Sequence, residues 1–271
     1  MSGRLVVCPT PIGNLEDVTL RVLAALREAD VVACEDTRRT RVLLDRYGVK
    51  GHLVSYHEHN ERARARELVK RMLGGAVVAL VSDAGTPLVS DPGFVLVREC
   101  VAAGLAVEVL PGPSAALSAL VASALPADRW TFAGFLPRKR AELERTLSGP
   151  DTLVAFESPR RVGATLAVLA ELDPERPVVV ARELTKVHEE VVRGSAAELA
   201  GRYASEAPRG EIVLVVGGAP GGAGSDATGP ALDALRRLVD AGAKPRAAAG
   251  VVAELTGVPA NALYKALTSG S

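Results

Sequence analysis

Residues 77–93 read VVALVSDAGTPLVSDPG, and this stretch decides both the fold class and the place of a site. Its first five residues are valine-rich and uniformly apolar, which predicts a buried strand of a parallel sheet. The remainder is small and polar, with Asp83 and Asp91 on either side of a Thr-Pro turn. A tight structural turn is one interpretation. The other is a ligand site, because open α/β sheets bind ligands beyond the carboxyl ends of their strands.

Similar apolar runs recur on both sides of this stretch. Runs at 5–7, 31–32 and 107–110 alternate with amphipathic segments such as 61–73, the rhythm of a mostly parallel α/β sheet with crossover helices. The pattern restarts after Pro111-Gly112-Pro113. A second α/β domain is therefore predicted, with strands near 130–133, 153–156, 178–181, 191–192 and 212–216.

The predicted domain boundaries follow from these runs and from a glycine-rich segment. We expect an N-terminal α/β domain at 1–112 and a C-terminal α/β domain at 113–218. Residues 219–230 are expected to form a flexible linker, since GGAPGGAGSDATGP at 217–230 is rich in glycine. Residues 231–271 show helical spacing broken by short turns, which fits a helix-turn-helix-like appendage or a plain helical cap.

Composition excludes several classes of protein. With 271 residues, 48% of them hydrophobic, and 32 basic against 32 acidic side chains, the chain is neither collagen-like nor disordered. Its three cysteines, Cys8, Cys34 and Cys100, lie in or beside apolar runs without CxxC spacing, so a reducing cytoplasm is expected. No signal peptide or membrane span is recognised, and we expect a protein that is neither exported nor embedded.

Two further loops resemble the first in composition. Residues 9–17, PTPIGNLED, lack both the Gly-Lys-Ser/Thr of a Walker loop and a GxGxxG pattern, which argues against ATP hydrolysis and ordinary dinucleotide binding. Residues 110–116, LPGPSAA, place Ser114 at the predicted N-cap of an alanine-rich helix. All three loops follow predicted strands of one sheet.

Together these residues resemble the tetrapyrrole methylase superfamily and, within it, the branch of ribosomal small-subunit RNA (cytidine-2'-O)-methyltransferases. The resemblance runs from residue 5 to about residue 218. It is carried by PTPIGNLEDVTLR (9–21), CEDTRRT (34–40), VSDAGTPLVSDPG (81–93), LPGPSAA (110–116), FAGFLP (132–137), FESPRR (156–161), ARELTKVHEEVVRG (181–194) and RGEIVLVV (209–216).

The resemblance implies two αβα domains with S-adenosylmethionine in the cleft between them, usually as a homodimer. It also implies methyl transfer to a ribose hydroxyl in the decoding region of 16S rRNA within the 30S subunit. Tetrapyrrole methylases have Gly-Asp-Pro where this chain has Gly85-Thr86-Pro87, a departure that favours RNA. A methylase of a small tetrapyrrole and a non-catalytic ribosome-assembly factor remain the alternatives.

The family's cofactor contacts can be carried over by position. They fall on Pro11, on Ala84, Gly85, Thr86 and Val89, on Ser114 and Ala115, and on Phe156, Glu157, Glu211 and Ile212. Candidate catalytic residues at predicted strand ends are Asp83, Glu157, Arg182, Glu183 and Lys186. Salt bridges are the competing interpretation of the charged residues after the strands.

Candidate RNA contacts are the arginines and lysine of basic clusters, with solvated helix faces as the alternative. They are Arg38, Arg138, Lys139, Arg140, Arg160 and Arg161. Arg138, Lys139 and Arg140 are favoured because few acids are expected nearby. With nine aromatic residues in the chain, an extended base-stacking platform is not expected. The motif His57-Glu58-His59 lacks a third ligand at suitable spacing, so no metal site is predicted.

Overall fold

The structure, a computed structural model, describes residues 3–205, 207–219, 228–256 and 258–269. Its first part is a parallel sheet of five strands in the order β3-β2-β4-β1-β5. The strands are β1 (Arg4–Val7), β2 (Val31–Cys34), β3 (Leu53–Ser55), β4 (Val77–Val81) and β5 (Ala106–Val109). The connecting helices are α1 (Leu20–Glu28), α2 (Thr37–Arg46), α3 (Glu61–Leu73) and α4 (Phe94–Ala102).

Helices cover both faces of this first sheet, which explains the valine-rich strands. Leu5 and Leu80 belong to a core on one face that α3 and α4 complete through Leu68 and Leu96. A second core lies on the other face, where α1 and α2 contribute residues such as Leu26. The predicted three-layer α/β arrangement is confirmed.

The second part is a mixed five-stranded sheet in the order β6-β7-β10-β8-β9. Its strands are β6 (Trp130–Phe135), β7 (Thr152–Glu157), β8 (Pro177–Arg182), β9 (Glu190–Ser195) and β10 (Ile212–Val216). Strands β6 and β7 are parallel, whereas β10 runs antiparallel to both of its neighbours. Its helices are α5 (Ala115–Ser123), α6 (Arg140–Leu147), α7 (Val162–Leu172) and α8 (Ala196–Arg202).

One side chain of the first part is built into the core of the second. Ile12, from the loop after β1, is buried in a hydrophobic cluster of the second part. Its neighbours there include Leu120 of α5, Val213 of β10, and Leu184, which follows β8. A hydrogen bond from Asn14 N to Thr185 Oγ1, 3.1 Å long, lies beside this contact. The loop at residues 9–17 therefore fixes the first sheet against the second.

Three helices close the described chain: α9 (Thr228–Asp240), α10 (Pro245–Thr256) and α11 (Ala260–Ser269). They share a small core of their own that includes Leu235, Val252 and Leu263. Helix α9 begins three residues before the predicted start of the tail at 231. The predicted linker at 219–230 lies mostly outside the described residues. None of the helices in the described ranges is both long and apolar enough to cross a membrane.

Arg176 connects three segments of the second part of the chain through hydrogen bonds. Its side chain is only 5% exposed, and Nε donates to Asp173 Oδ2 at 2.9 Å. The guanidinium also donates to the carbonyl of Gly217 at 3.1 Å, after β10, and to that of Leu147 at 3.4 Å, at the end of α6. Removing this side chain would leave two carbonyls without this donor and the Asp173 carboxylate without its cationic partner.

We therefore expect Arg176→Ala to lower the free energy of unfolding by roughly 3 kcal/mol, as when one partner of a buried ion pair is removed. The exposed ion pair of Arg21 with Glu108 supplies the control, because Arg21→Ala should cost less than about 1 kcal/mol. Urea unfolding followed by the fluorescence of Trp130, the single tryptophan, reports on the second sheet directly. Equal decreases in the free energy of unfolding for Arg176→Ala and Arg21→Ala would contradict this structural role of Arg176.

Candidate active site

A cavity of about 340 Å³ opens between the two sheets. The first part of the chain contributes the loop after β4 together with Ile12, and the second contributes the start of α5 and the ends of β6, β7 and β10. The lining residues are Ile12, Ala84, Gly85, Thr86, Val89, Ser90, Asp91, Ser114, Ala115, Phe135, Phe156, Glu157, Ser158, Pro159, Gly210, Glu211, Ile212 and Val213. Its volume lies within the usual range for small-molecule sites, about 300–1,000 Å³.

The loop after β4 is held in shape by a backbone bridge to the loop after β1. Thr10 and Gly85 exchange two hydrogen bonds, of 2.8 and 2.9 Å, and Thr10 Oγ1 donates to the carbonyl of Ser82 at 3.0 Å. Gly85 has φ of +79°, which glycine adopts without strain. Leu88 and Ser90 also have positive φ, at 73° and 64°. Such strain persists only where the surroundings over-determine the backbone, and it is common at functional sites.

The start of α5 forms another wall. Ser114 caps the helix by accepting from Leu117 N, and Thr86 Oγ1 donates to the carbonyl of Pro113 at 3.1 Å, which ties the loop after β4 to this helix. The N–H groups of the first helical turn have no acceptor within the helix. Because Ser114 and Ala115 line the cavity, this wall can hold a negatively charged group.

Aromatic rings lie on the opposite side. Phe156 packs edge-on against Phe135, with ring centroids 5.6 Å apart, and against Phe132 at 5.2 Å. Phe135 follows a register shift in β6 and Gly134, whose φ is +62°. Phe135 as a whole is 64% exposed although it lines the cavity. An exposed aromatic surface therefore borders the opening.

Three acidic residues line the cavity: Asp91, Glu157 and Glu211. The Glu157 carboxylate has no exposed surface and is held by Thr165 Oγ1 at 2.6 Å, Ser158 N at 2.7 Å and Arg161 at 3.2 Å. Glu211 pairs with Lys186 at 3.0 Å. Within the described ranges, no cation pairs with Asp91.

The predicted catalytic residues outside this lining have structural partners. Asp83 accepts from Asp36 N at 2.9 Å and lies 3.5 Å from Arg39. Arg182 pairs with Glu190 at 3.1 Å. These contacts agree with the salt-bridge interpretation of charged residues after the strands.

Glu183 and Lys186 form the same kind of structural pair. Lys186 Nζ donates to Glu183 at 2.8 Å, and Glu211 N donates to the same carboxylate. These hydrogen bonds lower the pKa of Glu183, and the two carboxylates around Lys186 raise its pKa against the opposing effect of burial. Glu183 is therefore an ionised member of a network beside Thr185, the residue that contacts Asn14.

The structure brings together nearly all of the predicted cofactor contacts. Ten of them line the cavity, and the exception is Pro11, which is buried beside Ile12. Eight other lining residues are not among the predicted cofactor contacts: Ile12, Ser90, Asp91, Phe135, Ser158, Pro159, Gly210 and Val213. Asp91 and Phe135 belong to two of the motifs quoted above, VSDAGTPLVSDPG and FAGFLP. The composition of these motifs is the sequence signal that could have identified both residues.

Two of the three basic residues at 138–140 form ion pairs within the protein. Lys139 pairs with Glu142 at 3.4 Å, and Arg140 pairs with Glu144 at 2.7 Å and with Glu171. The expectation of few acids near this cluster is wrong, because Glu142 and Glu144 lie one helical turn away on α6.

Two other predicted RNA contacts also have protein partners. Arg161 donates to the carbonyls of Leu136 and Pro137 and pairs with Glu157, while Arg38 pairs with Asp36 at 2.8 Å. Arg138 and Arg160 are exposed and have no partner among the described residues. They remain the candidates for contact with a polyanion.

Comparison with known proteins places the chain among methylases. The family described as Tetrapyrrole (Corrin/Porphyrin) Methylases matches residues 4–200. "Ribosomal RNA small subunit methyltransferase I" of Mesorhizobium japonicum is 48% identical over 269 residues, covering 97% of this chain and 90% of that protein. The protein of the same name from Thermotoga maritima is 45% identical over 219 residues, covering 80% of this chain and 99% of its own.

Solved structures show the same fold. Uroporphyrin-III-C-methyltransferase from Thermus thermophilus has a TM-score of 0.58 and 28% identity, covering 79% of this chain and 94% of that chain. A structure of uroporphyrin-III C-methyl transferase from Thermus thermophilus complexed with S-adenyl homocysteine has a TM-score of 0.55 and 23% identity, covering 79% of this chain and 97% of that chain.

Proposed function

The chain belongs to the tetrapyrrole (corrin/porphyrin) methylase family, and on this premise we propose that it 2'-O-methylates a cytidine in the decoding region of 16S rRNA. The chain is a methyltransferase, and its methyl donor is S-adenosylmethionine. The observation that carries the RNA substrate is the 48% identity, over 97% of the chain, to a protein named for methylation of small-subunit ribosomal RNA. The cavity between the sheets is the proposed place of reaction.

The residues of the cavity fit S-adenosylmethionine. Ser114 and the amides at the start of α5 offer donors suited to a carboxylate, and Phe156 and Ile212 offer apolar surface suited to an adenine ring. Gly85 and Ala115 lack large side chains, so a ligand can lie against the backbone there. The bound cofactor supplies a methyl group on a positively charged sulfur.

The protein's own contribution is positioning and exclusion of water. Methyl transfer requires the attacking oxygen, the methyl carbon and the sulfur to lie in line. Holding the two reactants in that geometry can lower the activation barrier by about 7–11 kcal/mol. The Thr10–Gly85 bridge and the contact of Thr86 with Pro113 fix the walls that would do this. Apolar residues such as Ile12 and Val89 exclude water from the interior.

A particle containing RNA and a second copy of the chain are the proposed partners. The rim offers one exposed aromatic ring, Phe135, which is too little for binding naked RNA by stacking alone. A homodimer would cover apolar side chains exposed on α5 and β5: Leu117, Val121 and Val109. The cysteines are buried free thiols, as expected in the reducing cytoplasm proposed for this chain.

Enlarging one small residue of the cavity should block the cofactor. Ala115→Leu places a branched side chain in the wall, and we expect S-adenosylmethionine to bind at least tenfold more weakly by titration calorimetry. Leucine is a good helix former, so α5 should persist. Ala197→Leu, on the exposed face of α8, is the matched control and should bind normally. Equal affinities in two folded variants would refute the proposed cofactor site.

The acceptor is tested by offering labelled S-adenosylmethionine with either 30S particles or uroporphyrinogen. Label in 16S rRNA, mapped to a cytidine ribose, is the expected result. Label in the tetrapyrrole would support the alternative substrate class, and cofactor binding without transfer to either would support an assembly factor.

The cations available for RNA phosphates are Arg138 and Arg160. Arg138 follows Phe135 by three residues, and Arg160 follows Pro159 directly, so both flank residues of the cavity lining. Phosphate contacts position an RNA without reading its bases. Arginine suits this role because its guanidinium binds phosphate oxygens in pairs.

Replacing Arg138 and Arg160 by alanine should raise the Michaelis constant for 30S particles and flatten its salt dependence by about two units of slope, one per lost phosphate contact. The double variant Lys139→Ala with Arg140→Ala removes the same charge and should leave the slope unchanged, because both side chains are paired within the protein. Affinity for S-adenosylmethionine should be normal in both. Parallel salt curves for wild type and both variants would place the RNA elsewhere.

A further inference from the structure

The cavity can admit a single nucleotide of an RNA but not a duplex. Its volume of about 340 Å³ between the two sheets suits a small molecule. A ribose hydroxyl can therefore reach a methyl group held there only if its nucleotide leaves the surrounding RNA structure, which costs the stacking of its base. We propose that the ring of Phe135 binds the base of the methylated nucleotide by stacking while the ribose enters the cavity. This inference rests on the proposed function.

Phe135 combines exposure with a place in the cavity lining. Phe135 and Phe156 are the aromatic residues among the lining residues, and the ring of Phe156 packs between those of Phe132 and Phe135. Single exposed apolar side chains are common on protein surfaces, so exposure by itself does not indicate a site. Phe94 is as exposed as Phe135 but lies outside the lining. Phe135 thus offers a free aromatic face at the opening of the cavity.

The backbone of β6 is irregular next to this ring. The pairing of β6 with β7 shifts register between Phe132 and Phe135, and such bulges re-aim side chains beside active sites. Gly134 has φ of +62°, and a Cβ on it would lie 3.2 Å from Ser90 Oγ. Glycine at this position allows both the left-handed backbone and the close approach of the loop after β4. Phe135 therefore lies where the two parts of the chain meet.

The residues after Phe135 hold its backbone in place. Leu136 is buried in the core of the second sheet, and its N–H donates to the carbonyl of Phe156 at 3.2 Å. The Arg161 guanidinium donates to the carbonyl of Leu136 at 3.1 Å and to that of Pro137 at 2.7 Å. A base that stacks on Phe135 meets a segment that is already ordered, which lowers the entropic cost of binding.

Cations flank the ring of Phe135. Arg138 follows it by three residues, and Arg160 follows a lining residue directly; both are exposed and without a partner among the described residues. An aromatic face beside cations is the usual combination in sites for single-stranded nucleic acid, because it matches a base and its phosphates. The ring of Phe94 is covered instead by the guanidinium of Arg98, 5.7 Å from its centroid. The two exposed phenylalanines thus differ in what they offer a nucleotide.

Stacking on Phe135 would orient the nucleotide without identifying it, since every base has a π-face. The contact forms only after the particle has bound and the nucleotide has left its stack. Its loss should therefore slow methyl transfer at saturating particle concentration and leave the affinity for the particle nearly unchanged. The phosphate contacts proposed for Arg138 and Arg160 predict a different result, namely a raised Michaelis constant.

Phe135→Leu tests the contact, because leucine keeps an apolar side chain and removes the π-face. The single-turnover rate with saturating 30S particles and S-adenosylmethionine should fall by about 5- to 150-fold, the effect of losing one base–aromatic contact. Phe135→Tyr retains a ring and should recover most of the rate. Calorimetry should give wild-type affinity for S-adenosylmethionine in both variants, which also shows that they fold. Phe94→Leu is the matched control and should methylate at the wild-type rate.

A particle whose target nucleotide lacks its base provides a readout that a structural role of Phe135 would not move. In 30S particles assembled with an abasic ribose at the mapped cytidine, the ring has no base to contact. The wild type should methylate them about as slowly as Phe135→Leu methylates normal particles, and Phe135→Leu should lose no further rate on them. Rate losses that multiply would mean that the ring and the base do not interact.

The failure of this proposal is distinguishable from the failure of the proposed function. Wild-type protein that transfers no methyl group to 30S particles would overturn the proposed function, and the role of Phe135 with it. Normal wild-type transfer combined with an unimpaired Phe135→Leu rate would overturn the stacking contact alone. Loss of cofactor affinity in Phe135→Leu would also overturn it by assigning the ring to the cofactor. A changed sedimentation coefficient would overturn it by assigning the ring to an interface between two copies of the chain.

Discussion

The two hydrogen bonds between Thr10 and Gly85 are the constraint on which the site depends. They join the loops that follow two adjacent parallel strands, β1 and β4, and so fix both loops at the carboxyl edge of the sheet. From the first loop, Ile12 enters the core of the second sheet. From the second, the left-handed backbone beyond Gly85 shapes the wall of the cavity. This pairing fixes the two loops relative to each other, and the contacts of Ile12 with the second sheet and of Thr86 with Pro113 then position the walls of the cavity.

Charged residues at the strand ends serve mainly to build this edge. Lys186 bridges Glu183 and Glu211, and Arg161 joins the Glu157 carboxylate to the loop after β6. Breaking a partly buried pair exposes the remaining charge to a poorly solvated environment, which favours keeping such pairs intact. Their loss of solvation is offset by mutual pairing.

The sequence predicted the long strands better than the short strands or the strand order. Strands such as Val77–Val81 were recognisable because burial on both faces makes them continuously apolar. Leu53–Ser55 was missed, since a strand of three residues with intermediate burial at both ends has no periodic pattern. The antiparallel placement of β10 between β7 and β8 could not be predicted either, because strand order depends on contacts distant in sequence.

The same limit explains which acid was chosen from sequence. Asp83 and Asp91 belong to one motif, and the sequence favours Asp83 as a candidate catalytic residue because it lies inside the predicted cofactor loop. The structure gives Asp83 a backbone donor and an arginine, while Asp91 lines the cavity next to Ser90, whose backbone is left-handed. Non-glycine residues rarely adopt that conformation, and no propensity predicts it. The course of this loop therefore depends on backbone strain that contacts distant in sequence sustain, such as the hydrogen bonds between Thr10 and Gly85.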